Sequence, residues 1–420
     1  MAGKLRFLLN RLKEQLWVRP LAMCFLSILG ALLAKAADQL QLDAYAPVIS
    51  LESVETLLKI IAASMLVMAI FAVGSMVSAY ASASSSATPR AFPLVVSDDV
   101  SQNALSVFIG AFIFSLVGLF ALLNGFYGAA GLFTLLLFTT LVFVIVILTF
   151  LRWVDRIARL GRLGETVEKV ETVAASAMTR RLRAPTMGGQ SVTQRPGPRR
   201  IVHGDSVGYV QQVNMGDLQS IAEELDMYIE VAALPGTFAS PGQPLAYVSL
   251  GSKQLPNESE DRLASAFVIG KDRTFEDDPR FGLVVLSEIA GRALSPGIND
   301  PGSAISVIGS LVRLFVGWSN PAEDAPATEL RFDRVMVPEL SLEDMFDDAF
   351  TAIARDGAGC IEVVVRLQKG LAALAADDSS EMAMNAKRHA RLALARAEKA
   401  LESPQDLETA RKLAQFAAIA

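Results

Sequence analysis

Ala104–Leu151 is a run of 48 residues without one charged side chain. A single helix of that length would measure about 72 Å at 1.5 Å per residue, more than twice the ~30 Å hydrocarbon layer of a bilayer. The run must therefore fold back on itself, and Asn124, Gly125, Phe126 and Tyr127 supply the turn. Spans are expected at about 104–123 and 126–151. A third is expected at 57–80, with Lys59 near its outer end. A fourth is expected at 17–37, where Trp17, Arg19 and Lys35 extend a short apolar core by interfacial anchoring and snorkelling. A cleaved signal peptide is the rival reading of this first span, but Ala34-Lys35-Ala36 makes a poor cleavage site. A mean hydropathy of +0.39 with 52% hydrophobic residues agrees with a membrane class for the first 151 residues.

Charge divides the chain. Residues 1–151 carry 8 basic and 7 acidic side chains, 152–200 carry 11 and 4, and 201–420 carry 19 and 33. The basic collar implies contact of Arg152–Arg162 with anionic lipid headgroups, and the acidic remainder argues against nucleic acid as a partner. The loop Asp38–Thr56 has four acids and no Lys or Arg. By contrast, Lys4, Arg6, Arg11 and Lys13 precede the first span, and Arg152, Arg156, Arg159 and Arg162 follow the last. The positive-inside rule places both termini in the cytoplasm. The expected fold is a membrane α-helical domain of four transmembrane helices (1–151) and a basic helical linker with a flexible connection (152–200). A cytosolic α+β domain follows, with a small β half-barrel-like α+β unit at 201–270 and a mainly helical part at 271–420.

Several chemistries are disfavoured. Cys24 and Cys360 cannot make a disulfide framework or a thiolate metal site, and His203 and His389 are far apart. There is no HExxH, no CxxC and no phosphate loop. No nucleophile–base pair is spaced for catalysis, so no enzyme, metal or cofactor is expected.

The end of the second span is rich in small and hydroxyl residues: Gly74, Ser75, Ser78 and Ser82. Tight helix packing is one reading, and a hydroxyl-lined vestibule in an oligomer is the other. Asp98 and Asp99 come next; Asp98 or Ser101 capping the third span is one reading, and a charged ring at a pore mouth is the other.

After the fourth span, Val154, Ile157, Leu160, Leu163, Val167, Val170 and Ala174 form a narrow apolar stripe on a helix. Such a stripe suits either a partner helix or the protein's own domain. Ala184–Arg200 reads as an irregular connection. Strands are expected at Gly208–Val213, Met227–Ala233, Ala246–Leu250 and Ala264–Ile269, and a helix at Asp217–Leu225. Leu234–Leu245 resembles the half-barrel turns of biotinyl and lipoyl carrier domains. No lysine lies between Ile201 and Val248, so the shape is kept and the cofactor rejected.

Arg273–Ala304 is the densest run of placed polar residues. Asp277-Asp278-Pro279 and Asp300-Pro301 are helix starts, a capping acid followed by proline at the first helical position. Glu288 and Arg292, four apart, suit an ion pair. Arg273, Arg292, Ser295, Asn299 and Asp300 read either as caps and loop ties or as a site for an ion or small anion. A strand is expected at Leu330–Val337. Helices are expected at Ser341–Arg355, Cys360–Ala375, Ser380–Leu401 and Asp406–Ala418.

The run from Arg273-Thr274 through Phe281-Gly282 to Ile289–Pro301 resembles the domain-of-unknown-function 2254 family of bacterial membrane proteins. So do Thr88-Pro89-Arg90 with Gln102, Gly208–Gln211 and Gly236–Leu245. The resemblance runs to about residue 320 and does not cover Ala184–Arg200. It implies four spans and a cytosolic C-terminal domain in a bacterial inner membrane, and it implies no activity. Two functions follow as expectations: an oligomeric, channel-like or transport-related protein regulated by its cytosolic domain, or a membrane-anchored sensory or interaction scaffold. The scarcity of ionisable residues within the spans favours a passive pore over a pump.

Overall fold

In the computed structural model the described residues are 17–39, 47, 49–86, 88–96, 99–157, 162–193, 199–249, 257–319, 330–376 and 380–418. The chain divides into two compact units. One comprises Met1–Ser85 and Phe92–Glu165, the other Ser86–Ala91 and Thr166–Ala420.

The first unit is helical: α1 (Val18–Gln39), α2 (Leu51–Ser86), the short α3 (Phe92–Val96), α4 (Asp99–Leu123) and α5 (Ala129–Ile157). Four of these are long and apolar enough to cross a membrane. α2 is longer at both ends than expected, and α4 starts at Asp99 rather than 104, because polar ends of a helix extend past its apolar centre. Helix α1 packs closely on α4 and α5. Small residues permit this: a Cβ on Gly110 would lie 3.0 Å from Met23 Cβ. α2 joins through Ile61, Met65, Ala69 and Ala72, which share a core with Val107, Phe108 and Trp153. At one end, the Asp38 carboxylate accepts the amides of Gly128 (2.8 Å) and Gly131 (2.6 Å) at the start of α5, while Tyr127 donates to the Ala31 carbonyl at 3.0 Å. Val67, Ile70, Phe71, Phe120 and Leu137 are exposed, an apolar surface suited to lipid rather than water.

The second unit begins with α6 (Leu163–Arg183). Val167, Val170 and Ala174 are buried there, and Gly282 lies so close to Ala174 that a Cβ would overlap it. The expected single stripe is divided: Val154 and Ile157 belong to α5, Leu160 lies outside the described residues, and only Val167, Val170 and Ala174 pack within the second unit. Two sheets follow. The five-stranded sheet has the order β1 (Gly189–Gln190), β8 (Phe332–Met336), β4 (Tyr228–Val231), β6 (Pro244–Ser249), β2 (Arg199–His203). The three-stranded sheet has the order β5 (Phe238–Ala239), β3 (Gly208–Val213), β7 (Phe267–Gly270). Both bury Val202, Val210, Ile229, Leu245 and Val335 in one core with α7 (Met215–Glu224). In place of a half-barrel confined to 201–270, the sheet takes β8 from far downstream and β1 from the expected irregular connection. The apolar run Val335–Val337 supplies that core's missing wall. The tail of that connection, residues 194–198, lies outside the described residues. Helix α8 (Asn257–Ser265), unanticipated, precedes β7.

The rest is helical: α9 (Pro279–Ala293), α10 (Pro301–Ser319), α11 (Leu342–Asp356), α12 (Ile361–Leu374), α13 (Glu381–Ala400) and α14 (Pro404–Leu413). α10 is a fifth helix long and apolar enough to cross a membrane. Its Phe315 stacks at 5.5 Å on Phe350 and lies 4.4 Å from Phe346, both on α11.

Candidate functional site

The α9–α10 hairpin is built from its caps. Asp278 takes the amides of Arg280 (3.1 Å) and Phe281 (3.2 Å), and Arg273 grips the same carboxylate from Nε and from a terminal nitrogen. Burial pushes the Asp278 carboxyl above the usual range, against the pull of Arg273 and the two amides. Burial likewise raises Asp277. Arg181 on α6 is buried beside these two acids. One of its terminal nitrogens donates to the Pro185 carbonyl at 3.3 Å, and the other has no partner among the described residues. Arg280 bridges α9 to α11 through Asp344 (2.7 Å) and Asp348 (2.6 Å). Gly236, at φ +93°, abuts the Asp278 carboxylate, where any side chain would collide.

The loop residues singled out in the sequence do not converge. Arg273 is taken up by Asp278, whereas Asp300 caps α10 by accepting from the Ser303 amide (3.1 Å) and hydroxyl (2.5 Å). Those Ser303 bonds hold the Asp300 carboxyl below its ordinary range. Ser295 donates to the Arg292 carbonyl at 2.7 Å, and Asn299 sits in the left-handed region at φ +51°. Arg292 is half-buried, and its Nε is enclosed with no acceptor among the described residues.

The expected Glu288–Arg292 pair is not the one formed. Glu288 instead accepts from Thr88 Oγ1 at 3.1 Å and from the Arg90 guanidinium. Thr88 also receives the Arg90 amide at 3.4 Å, which fixes the short 3-10 turn Pro89–Ala91. Ser86–Ala91 belongs to the second unit although the chain on both sides belongs to the first, and these bonds lie within that unit. The sequence did contain the signal, since Thr88-Pro89-Arg90 stands out as a motif, but nothing local names its partner.

On α2, Gly74, Ser78 and Ser82 lie on the exposed side, while Ser75 is half-buried and donates back to the Phe71 carbonyl at 2.8 Å. Asp99 opens α4 and pairs with Arg19, and Asp98 lies outside the described residues. In the basic collar Arg156 pairs with Glu165 at 3.0 Å, and Arg159 lies outside the described residues. His389, which sequence reasoning left unassigned, is buried against Phe346 and Phe350, with Nε2 3.0 Å from Asp347 Oδ1. Burial, reinforced by the neighbouring Arg388 charge, lowers its pKa to about 4.

The uncharacterised protein Rv1290c of Mycobacterium tuberculosis is 31% identical over 104 residues, 24% of this chain and 20% of that protein. The uncharacterised protein Mb1321c of Mycobacterium bovis matches with the same figures. The chain thus spans about a fifth of the length of the curated relatives it matches. No solved structure matches it. The family model described as "Predicted membrane protein (DUF2254)" covers residues 13–373, and the chain, with its lipid-suited helical unit and its capped α9–α10 hairpin, belongs to that family.

Proposed function

We propose that the protein is a four-span inner-membrane protein, with both termini cytoplasmic, that works as an oligomeric, channel-like element regulated by its C-terminal domain. The observation that carries this reading is the tie of Thr88 and Arg90 to Glu288. Through it, the loop joining two apolar helices is part of the regulatory domain's own fold, so a change in that domain has a covalent route to α2 and α4 besides the α5–α6 connection. The four-span count draws support from α10, whose Val307, Ile308, Leu311 and Phe315 are consumed in the second unit's core. Orientation draws support from the basic exit at Arg152–Arg162, from the acidic loop Asp38–Thr56, and from the inclusion of Ser86–Ala91 in the C-terminal unit. Gly74, Ser78 and Ser82, exposed in one chain, suit a close helix contact or a hydroxyl-lined path in an assembly. Charged lipid headgroups at the collar are the expected surroundings, and the reading assigns no catalysis and no cofactor.

Reconstitution of the full chain into planar bilayers tests this. Single-channel currents whose open probability changes in Glu288→Gln are expected, and silence under every ionic condition sinks the channel. A second reading, a membrane-anchored sensory scaffold, is favoured by the docking of α6 on its own domain, which removes one candidate assembly surface. A monomeric particle mass in detergent would favour it.

A further inference from the structure

We infer that Glu288 is a two-position latch, holding Arg90 of the loop in one state and Arg292 of its own helix in the other. The inference rests on the regulatory reading above and adds the mechanism of release. Glu288 has one carboxylate and two guanidinium groups within its possible range. Arg90 and Thr88 hold it in this structure. Arg292 lies one helical turn further along α9. A carboxylate four residues before a cation is the favourable order for a pair within a helix. Yet Arg292 makes no such pair, and its Nε is enclosed without an acceptor among the described residues. The latched state therefore leaves the Arg292 Nε uncompensated, and a buried donor without an acceptor disfavours the state that contains it. Release of the loop frees Glu288 to turn to Arg292, so opening replaces one ion pair with another rather than leaving a bare charge.

The tie itself is suited to exchange. The Arg90 and Glu288 side chains are 54% and 31% exposed, so water and salt weaken their pairing. Two weak alternatives for one carboxylate make an equilibrium that a modest change in the domain can tip. Movement of the loop then carries the C-terminal end of α2 with it.

Trypsin cleavage after Arg90 reads the latch in the full-length protein in lipid nanodiscs, followed as the fragment ending at that residue. Cleavage after the exposed Lys271 serves as the reference for an intact fold. Glu288→Gln should accelerate cleavage after Arg90 severalfold. Arg292→Gln should slow it about twofold, the scale of an exposed pair four residues apart, because the competing position is gone. The double variant should match Glu288→Gln alone, since Arg292 acts only through Glu288. An unchanged or faster rate in Arg292→Gln, or an Arg292 effect that persists without Glu288, overturns the two-position latch and leaves the regulatory tie standing. No response to Glu288→Gln removes the tie and, with it, the support for both readings.

Discussion

The Arg273 guanidinium closes on the Asp278 carboxylate with two parallel bonds, Nε to Oδ2 at 2.6 Å and a terminal nitrogen to Oδ1 at 3.0 Å. The acid is 2% exposed and also caps α9, so each partner answers for more than the pair. Arg273→Ala strands a buried carboxylate and should cost about 3–5 kcal/mol. Asp278→Asn retains a capping oxygen and leaves Arg273 nearer to water, so it should cost less. Urea or thermal unfolding of the detergent-solubilised protein should rank the two in that order.

Gly282 and Ala174 set the spacing of α6 and α9. Gly282→Val should destabilise by about 1–3 kcal/mol through overpacking. Ala174→Gly in the same chain should recover a measurable part of that loss, since the collision is with that methyl group. Additive losses in the double variant would refute the contact.

His389 makes stability depend on pH. Its pKa falls from 6.5 to about 4 on folding, so the unfolded chain binds the extra proton between those values. Its contribution is complete above pH 6.5 and is lost as pH falls toward 4, at most about 3 kcal/mol. Asp277 and Asp278, raised by burial, act in the opposite sense on acidification. The comparison of wild type with His389→Gln isolates the histidine: wild type should lose stability faster across this window.

At the α9–α10 turn, Asn299→Gly should be near neutral and Asn299→Ala should cost about 1 kcal/mol, because alanine resists the left-handed backbone. Asp300→Ala should cost about 1 kcal/mol as a lost cap. If the proposed channel conducts, loss of its current in a variant that keeps its stability would assign the loop a role beyond capping.

Glu171 and Arg313 pair at 2.6 Å by both edges, and the arginine is 64% exposed. Glu171→Gln should change stability by less than about 1 kcal/mol. A larger loss would mean that the pair is less open to solvent than its exposure in the single chain implies.

Local chemistry is what the sequence announces well. Asp278-Pro279, Asp300-Pro301 and Ser341 each mark a helix start within a few residues, and the caps form as expected because a cap depends only on its own first turn. The charge-free run likewise folds at Asn124 and Gly125, since length alone demands it. Pairings between distant segments are hidden. β1 finds β8 across Gly189 and Phe332, and neither two residues nor one short apolar run announces a parallel neighbour. For Glu288 the nearby Arg292 was the natural partner by spacing, yet Arg90, 198 residues earlier, holds the carboxylate. A pattern along one helix cannot show that another segment competes for the same charge.

The placement of Ser86–Ala91 bears on how this protein is made and how it can be cut. About two hundred residues of synthesis separate Arg90 from the helix that receives it, so the tie closes only after α9 has been translated and folded. A fragment beginning at Thr166 would contain every strand of both sheets and still lack six residues of its own compact unit. Supplying Ser86–Ala91 as a separate peptide, or grafting it by a linker, should make such a fragment a more faithful stand-in than truncation alone.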